Sequence, residues 1–125
     1  MNQGGAVLTD DRPIFQQIAD QLADGILAGT YPPGAAVPST NELAAFHRIN
    51  PATVGKGVNV LVDAGVLEKR RGLGMYVTEG ARERLLADRR AAFARDFVAP
   101  LLAEAGSLGL PVAEVHRIID QEVEQ

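Results

Sequence analysis

At 125 residues with a formal net charge of −4, the chain has room for one ordinary domain carrying at most a small helical appendage, and for a core that closes without disulfides. A 46% hydrophobic and 22% charged composition excludes a disordered polymer, and the lack of cysteine excludes disulfide frameworks, thiolate metal sites and cysteine nucleophiles. The acidic pI near 5.1 excludes a uniformly basic nucleic-acid coat, yet residues 45–78 set Arg48, Lys56, Lys69, Arg70 and Arg71 against only Asp63 and Glu68, a local +3.

The opening stretch MNQGGAVLTDDRP has neither a basic n-region nor an apolar h-region, and the longest apolar run, FVAPLLA, is far shorter than a membrane span. Neither secretion nor insertion is expected, which leaves the cytoplasm. Residues 13–29 then place Ile14, Phe15, Ile18, Leu22, Ile26 and Leu27 on one helical face, with Pro13 suited to the first helical position and Gly29 to the stop. The Pro- and Gly-rich TYPPGAAVP reads as a loop.

Ser39 followed three residues later by Glu42 is a capping box. It predicts a second helix over 40–47, with Leu43 and Phe46 inward. Asn50 as N-cap and Pro51 at the first position open a third helix, whose stripe Val54, Val58, Leu61 and Val62 ends at Gly65. Gly55 and Gly57 inside it each cost roughly 1 kcal/mol relative to alanine. They serve either close backbone approach to DNA or softness of the helix.

Residues 66–70 and 75–78 predict two short strands, apolar at Val66, Leu67, Tyr76 and Val77, joined by the turn RGLG, in which Gly72 and Gly74 supply the permissive backbone. Beyond Thr78, Leu86, Phe93, Phe97 and Leu101 recur at helical spacing, and Pro100 should kink or divide that helix. A final helix from Pro111 carries Val112, Val115, Ile119 and Val123 on one side.

The expected fold is therefore mainly α with a small β-hairpin. A winged helix-turn-helix spans residues 12–78, and a two-helix C-terminal dimerisation region spans 79–125. In such a module the third helix enters the DNA major groove while the hairpin tip reaches the backbone or the neighbouring minor groove. A basic cluster beside a glycine tip approaches phosphates closely, and Arg70, Arg71 and Gly72 form that cluster.

In order and spacing, PIFQQIADQLADGILAG, PPGAAVPSTNELA, INPATV and RRGLGMYV resemble the GntR-type bacterial transcription regulators, and the short helical tail is similar to that of the YtrA subfamily. The resemblance implies phosphate contacts from Ser39 and Thr40 at the start of the second helix. Asn41 stands where the family usually has a base-contacting arginine, a departure that bears on strength and sequence preference. Asn50, Ala52 and Thr53 fall on the start of the recognition helix, with Lys56 one turn on. Pro51 occupies a position that is often arginine in the broader family, and the Asn-Pro pair is typical of the YtrA-like branch. The resemblance also implies that the tail dimerises.

Function on this reading is binding, with no chemical step, no cofactor and no metal. There is no nucleophile–base pair, GLG lacks the longer nucleotide-binding fingerprint, and His47 and His116 have no cysteine to make a metal cluster. The partners expected are double-stranded DNA, a second copy of the chain, and a small-molecule effector between tail and DNA-binding region, in a repressor that recognises an inverted repeat. Leu86, Phe93, Phe97, Leu101, Val115 and Ile119 are the dimerisation residues, because two short helices cannot cover both apolar stripes alone. Arg82, Arg84, Arg89, Arg90 and Arg95 read as a mixed-charge solvated face. The rival reading is a winged-helix protein-interaction module without specific DNA binding.

Overall fold

The computed structural model describes residues 8–125; the part of the leader reading that rests on residues 1–7 lies outside them. The chain divides into two compact units, one ending at Leu86 and the other running from Ala87 to Gln125.

The first unit opens with α1 (Ile14–Leu27). Pro13 sits one position earlier than expected, as the N-cap, and its carbonyl accepts from the backbone N–H groups of Gln16 and Gln17. Gly29, at φ +85°, ends the turn beyond the helix in the left-handed region as the sequence implied. Ile18, Leu22 and Ile26 are almost wholly buried. Gln17 is buried too, and satisfied: its side-chain amide bonds Thr9 N, Thr9 O and Arg12 O at 2.7–2.9 Å, which ties the preceding segment to the helix.

Helix α2 (Thr40–His47) and helix α3 (Pro51–Asp63) follow across a turn at Arg48–Asn50. The inward stripe of α2 is Thr40, Leu43, Ala44 and His47, spaced i, i+3, i+4, i+7. Phe46, expected inward, is 61% exposed: from Leu43 it lies on the far side of the helix from Ala44, and the smaller residue takes the core position. In α3, Val54, Val58 and Leu61 are buried and pack on α1, with Val62 half-buried beside them.

Strands β1 (Leu67–Arg70) and β2 (Gly74–Val77) pair antiparallel, with Leu67 opposite Val77 and Arg70 opposite Gly74. The segment after α1 is more than the expected loop. Its backbone bonds the outer edge of β2 through Gly34 N to Val77 O, Val77 N to Ala35 O and Val37 N to Met75 O, at 2.8–3.0 Å. Those bonds satisfy an edge that a lone hairpin would leave open.

Helix α4 (Ala81–Phe93) starts in this unit, and Ala81 and Leu85 belong to the same core. The core residue is Leu85, whereas Leu86 is half-buried. Two arginines expected on a solvated face are exposed and also bind carbonyls here. Arg82 donates to Leu27 O, and Arg84 Nη1 to Gly65 O and Glu79 O. Thr78 Oγ1 also donates to Gly65 O, at 2.6 Å.

In the second unit the helix passes through a π-helical turn (Ala94–Val98) into α5 (Ala99–Ser107), and α6 (Val112–Val123) follows. Pro100 has no N–H to give the carbonyl four residues back, and the widened turn just before it relieves the ladder there. Ala105 and Val115 are the buried residues, so Val115, expected at a dimer interface, is used in packing α6 on α5 of its own chain. Phe93, Phe97, Leu101 and Ile119 are 43–67% exposed. Among the described residues no single helix is long and apolar enough to cross a membrane.

Candidate nucleic-acid interface

Helix α2 begins on a complete capping box. Glu42 N donates to Ser39 Oγ at 3.0 Å, and Ser39 N donates to Glu42 Oε1 at 2.8 Å. The bond from Ser39 holds the Glu42 carboxyl below the usual carboxylate range. Ser39 Oγ accepts within the box and its hydroxyl also bonds the Glu42 carboxylate, and as the residue is exposed the hydroxyl can turn to a phosphate acceptor. Thr40 is half-buried on the inward stripe and Asn41 is exposed.

The turn into α3 rests on Arg48, the one residue other than glycine at positive φ (+58°) among the described residues. It is exposed, and an L-residue with a Cβ is strained in that region by about 1–2 kcal/mol. Asn50 Oδ1 accepts from Ala52 N at 2.8 Å, which uses the carbonyl end as a cap and leaves the amide nitrogen to donate outward.

The exposed face of α3 is Ala52, Lys56 and Asn59, while Thr53 is half-buried at its flank. Lys56 Nζ stands 4.2 Å from the centroid of the Phe15 ring, so α1 positions the cation. Asn59 was not singled out from sequence. It lies i+7 from Ala52 and i+3 from Lys56, so a helical projection drawn from the buried valines would have found it. Its amide pairs a donor with an acceptor, the pattern that reads adenine in the major groove.

Gly55 and Gly57 have opposite surroundings. A Cβ on Gly57 would meet Phe15 O at 2.6 Å and Ile18 Cβ at 3.0 Å, whereas nothing lies within 4 Å of one on Gly55. The first is therefore a packing residue of α1 against α3.

The wing separates its basic residues. Arg70 Nε donates to Glu68 Oε2 at 2.9 Å, and its guanidinium lies 4.1 Å from the Tyr76 ring centroid. Lys69 and Arg71 are exposed and have no ion-pair partner among the described residues. At the tip, Gly72 (φ +76°) and Gly74 (φ +108°) hold a backbone that side-chain-bearing residues rarely adopt. Arg71 is thus the free charge and Arg70 the braced one.

A helix-turn-helix followed by a basic hairpin, with this capping pattern, matches the model for bacterial regulatory proteins of the gntR family over residues 14–77. The chain belongs to the GntR family.

The GntR-family similarity extends into the tail. The chain is 31% identical to the HTH-type transcriptional repressor YtrA of Bacillus subtilis over 87% of this chain and 83% of that protein, which places it with the YtrA-like members. A putative GntR-family transcriptional regulator from Bacteroides thetaiotaomicron superposes with a TM-score of 0.72 at 28% identity, covering 89% of this chain and 96% of that one. The DNA-binding domain of AraR, solved in complex with operator ORX1, superposes with a TM-score of 0.56 at 25% identity over 58% of this chain and 95% of that one.

Proposed function

We propose that this GntR-family chain is a cytoplasmic repressor that binds an inverted-repeat operator as a homodimer, with residues 12–78 as the DNA-binding module and 79–125 as the dimerisation tail. The observation that carries the reading is the wing: in an acidic chain, Arg71 and Lys69 have no ion-pair partner among the described residues and stand beside a glycine tip, in a segment that the family model matches over residues 14–77. An uncompensated cation at such a tip fits a phosphate backbone, because each neutralised phosphate releases a counterion.

Ser39 and the α2 N-terminus then supply positioning contacts to phosphate. Ala52, Lys56 and Asn59, with Asn50 and Thr53 at the helix start, supply base readout, and a good bidentate pair discriminates by about 1–3 kcal/mol. So few readers per half-site make the dimer necessary. Its two recognition helices should enter major grooves one helical turn, about 10 bp, or a multiple apart.

The test is fluorescence anisotropy of a duplex from the region upstream of the chain's own gene against a scrambled duplex, across a salt series. The reading expects salt-sensitive binding to both, with a preference of at least about a hundredfold for the upstream duplex. Arg71→Ala should weaken both and reduce the salt slope by about 1. Absence of duplex binding at low salt would overturn it in favour of a protein-interaction module.

A further inference from the structure

A recess between α1 and α2 is lined by none of the residues assigned to DNA contact. Its volume is about 300 Å³, at the lower end of the range for small-molecule sites. Ile18 and Leu22, 1% and 3% exposed, form an apolar floor with Leu43 beside them. Two aromatic rings join them: Tyr31, packed so close to α1 that a Cβ on Gly25 would lie 2.5 Å from Tyr31 Cε2, and Phe46, exposed at the rim.

The one carboxylate in the lining is that of Glu42. It bonds Ser39 through the backbone N–H, on Oε1, and through the hydroxyl, and an exposed carboxylate with about four acceptor sites keeps room for a further donor. His47 stands edge-on to Phe46, ring centroids 4.9 Å apart, and adds a polar edge without an opposing fixed charge. The outward Phe46 that the sequence pattern placed in the core thus has a use: it completes an aromatic wall next to a carboxylate.

An apolar floor, two rings and a single exposed carboxylate form a selective combination. An ammonium donates a charge-assisted hydrogen bond to the Glu42 carboxylate and is attracted by ring faces, while its hydrocarbon body covers the floor. A neutral analogue loses the charged bond, and an anion meets Glu42 with no cation to offset it. We propose that this recess binds a small organic cation, a primary ammonium carried on an apolar body. That puts a ligand site inside the DNA-binding unit, on the helix whose capped N-terminus the proposed function brings to phosphate.

The experiment is isothermal titration of the full chain, without DNA, with 2-phenylethylammonium, with the neutral 2-phenylethanol and with phenylacetate. Saturable binding of the ammonium is expected, at least about tenfold tighter than the alcohol, with the acid weaker still. Glu42→Gln retains a side chain able to complete the capping box and should lower ammonium affinity about tenfold while leaving the alcohol unchanged. Phe46→Ala, at an exposed position, should weaken the ammonium and provides the reading if the Gln variant folds poorly. Equal affinities for the three probes, no saturation, or indifference of ammonium binding to both substitutions would overturn the site. Since no DNA is present, failure here leaves operator binding untouched, and failure of operator binding leaves this site untouched.

Discussion

Gly57 lies where α3 crosses α1, with Phe15 O 2.6 Å from the position a Cβ would take, so Gly57→Ala must push two helix backbones apart. Urea unfolding should show a loss of at least about 2 kcal/mol, in the range of overpacked cores. Gly55→Ala meets nothing and should gain roughly 1 kcal/mol from helix propensity. A concurrent loss of operator affinity would show that the Gly55 backbone sits against DNA. Arg48 presents the converse case, a strained residue where glycine would fit. Arg48→Gly should leave stability equal or higher, and a salt slope lower by about 1 would make this arginine a phosphate contact.

At the scale of the element, α2 is eight residues long, too short to persist on propensity, so its ends and its inward stripe decide its stability. Ser39→Ala removes the N-cap acceptor and should cost about 1 kcal/mol in thermal or urea unfolding. At the other end, burial holds His47 below its ordinary pKa of 6.5. The unfolded chain therefore takes the proton first, and stability falls as pH drops below 6.5, levelling once the folded-state pKa is passed. His47→Gln should flatten the stability profile across that window. Between α3 and α4, Thr78 Oγ1 donates to Gly65 O and Val66 O. Thr78→Val should cost about 1 kcal/mol in urea unfolding by removing the hydroxyl's bonds at the α3 exit, although Gly65 O keeps Arg84 Nη1 and Val66 O keeps the residue-78 N–H.

For the whole molecule, the second unit buries little of itself: Ala105 and Val115 are inside, while Phe93, Phe97, Leu101, Leu102, Val112 and Ile119 are outside. On the proposed dimerisation a second copy would cover these side chains, and the tilted Phe93–Phe97 pair, centroids 5.8 Å apart, is where it is tested. Phe97→Asp, at a 67% exposed position, should leave the protomer folded and convert the sedimenting species from dimer to monomer. Operator affinity should fall by at least about a hundredfold, since joining two half-site readers multiplies affinity through effective concentration. A dimer that survives Phe97→Asp would move the interface to another surface.

Local chemistry carried the sequence reading a long way. The Ser39–Glu42 box, the Asn50–Pro51 start, the buried stripe of α3 and the glycine-flanked wing are set by neighbours within a few residues, and each lies where the sequence put it, save that β1 starts one residue later and β2 lies one residue earlier than expected. What the sequence could not decide were contacts between segments far apart in the chain. The edge pairing of residues 34–37 on β2, Arg82 and Arg84 on distant carbonyls, and the requirement for glycine at 57 but not 55 all depend on which backbone passes close by. The same holds for Phe46, since in so short a helix the choice between Ala44 and Phe46 as the core residue turns on the space α1 and α3 leave. Capping and periodicity are properties of a segment, whereas close packing and the pairing of polar groups are properties of two segments brought together.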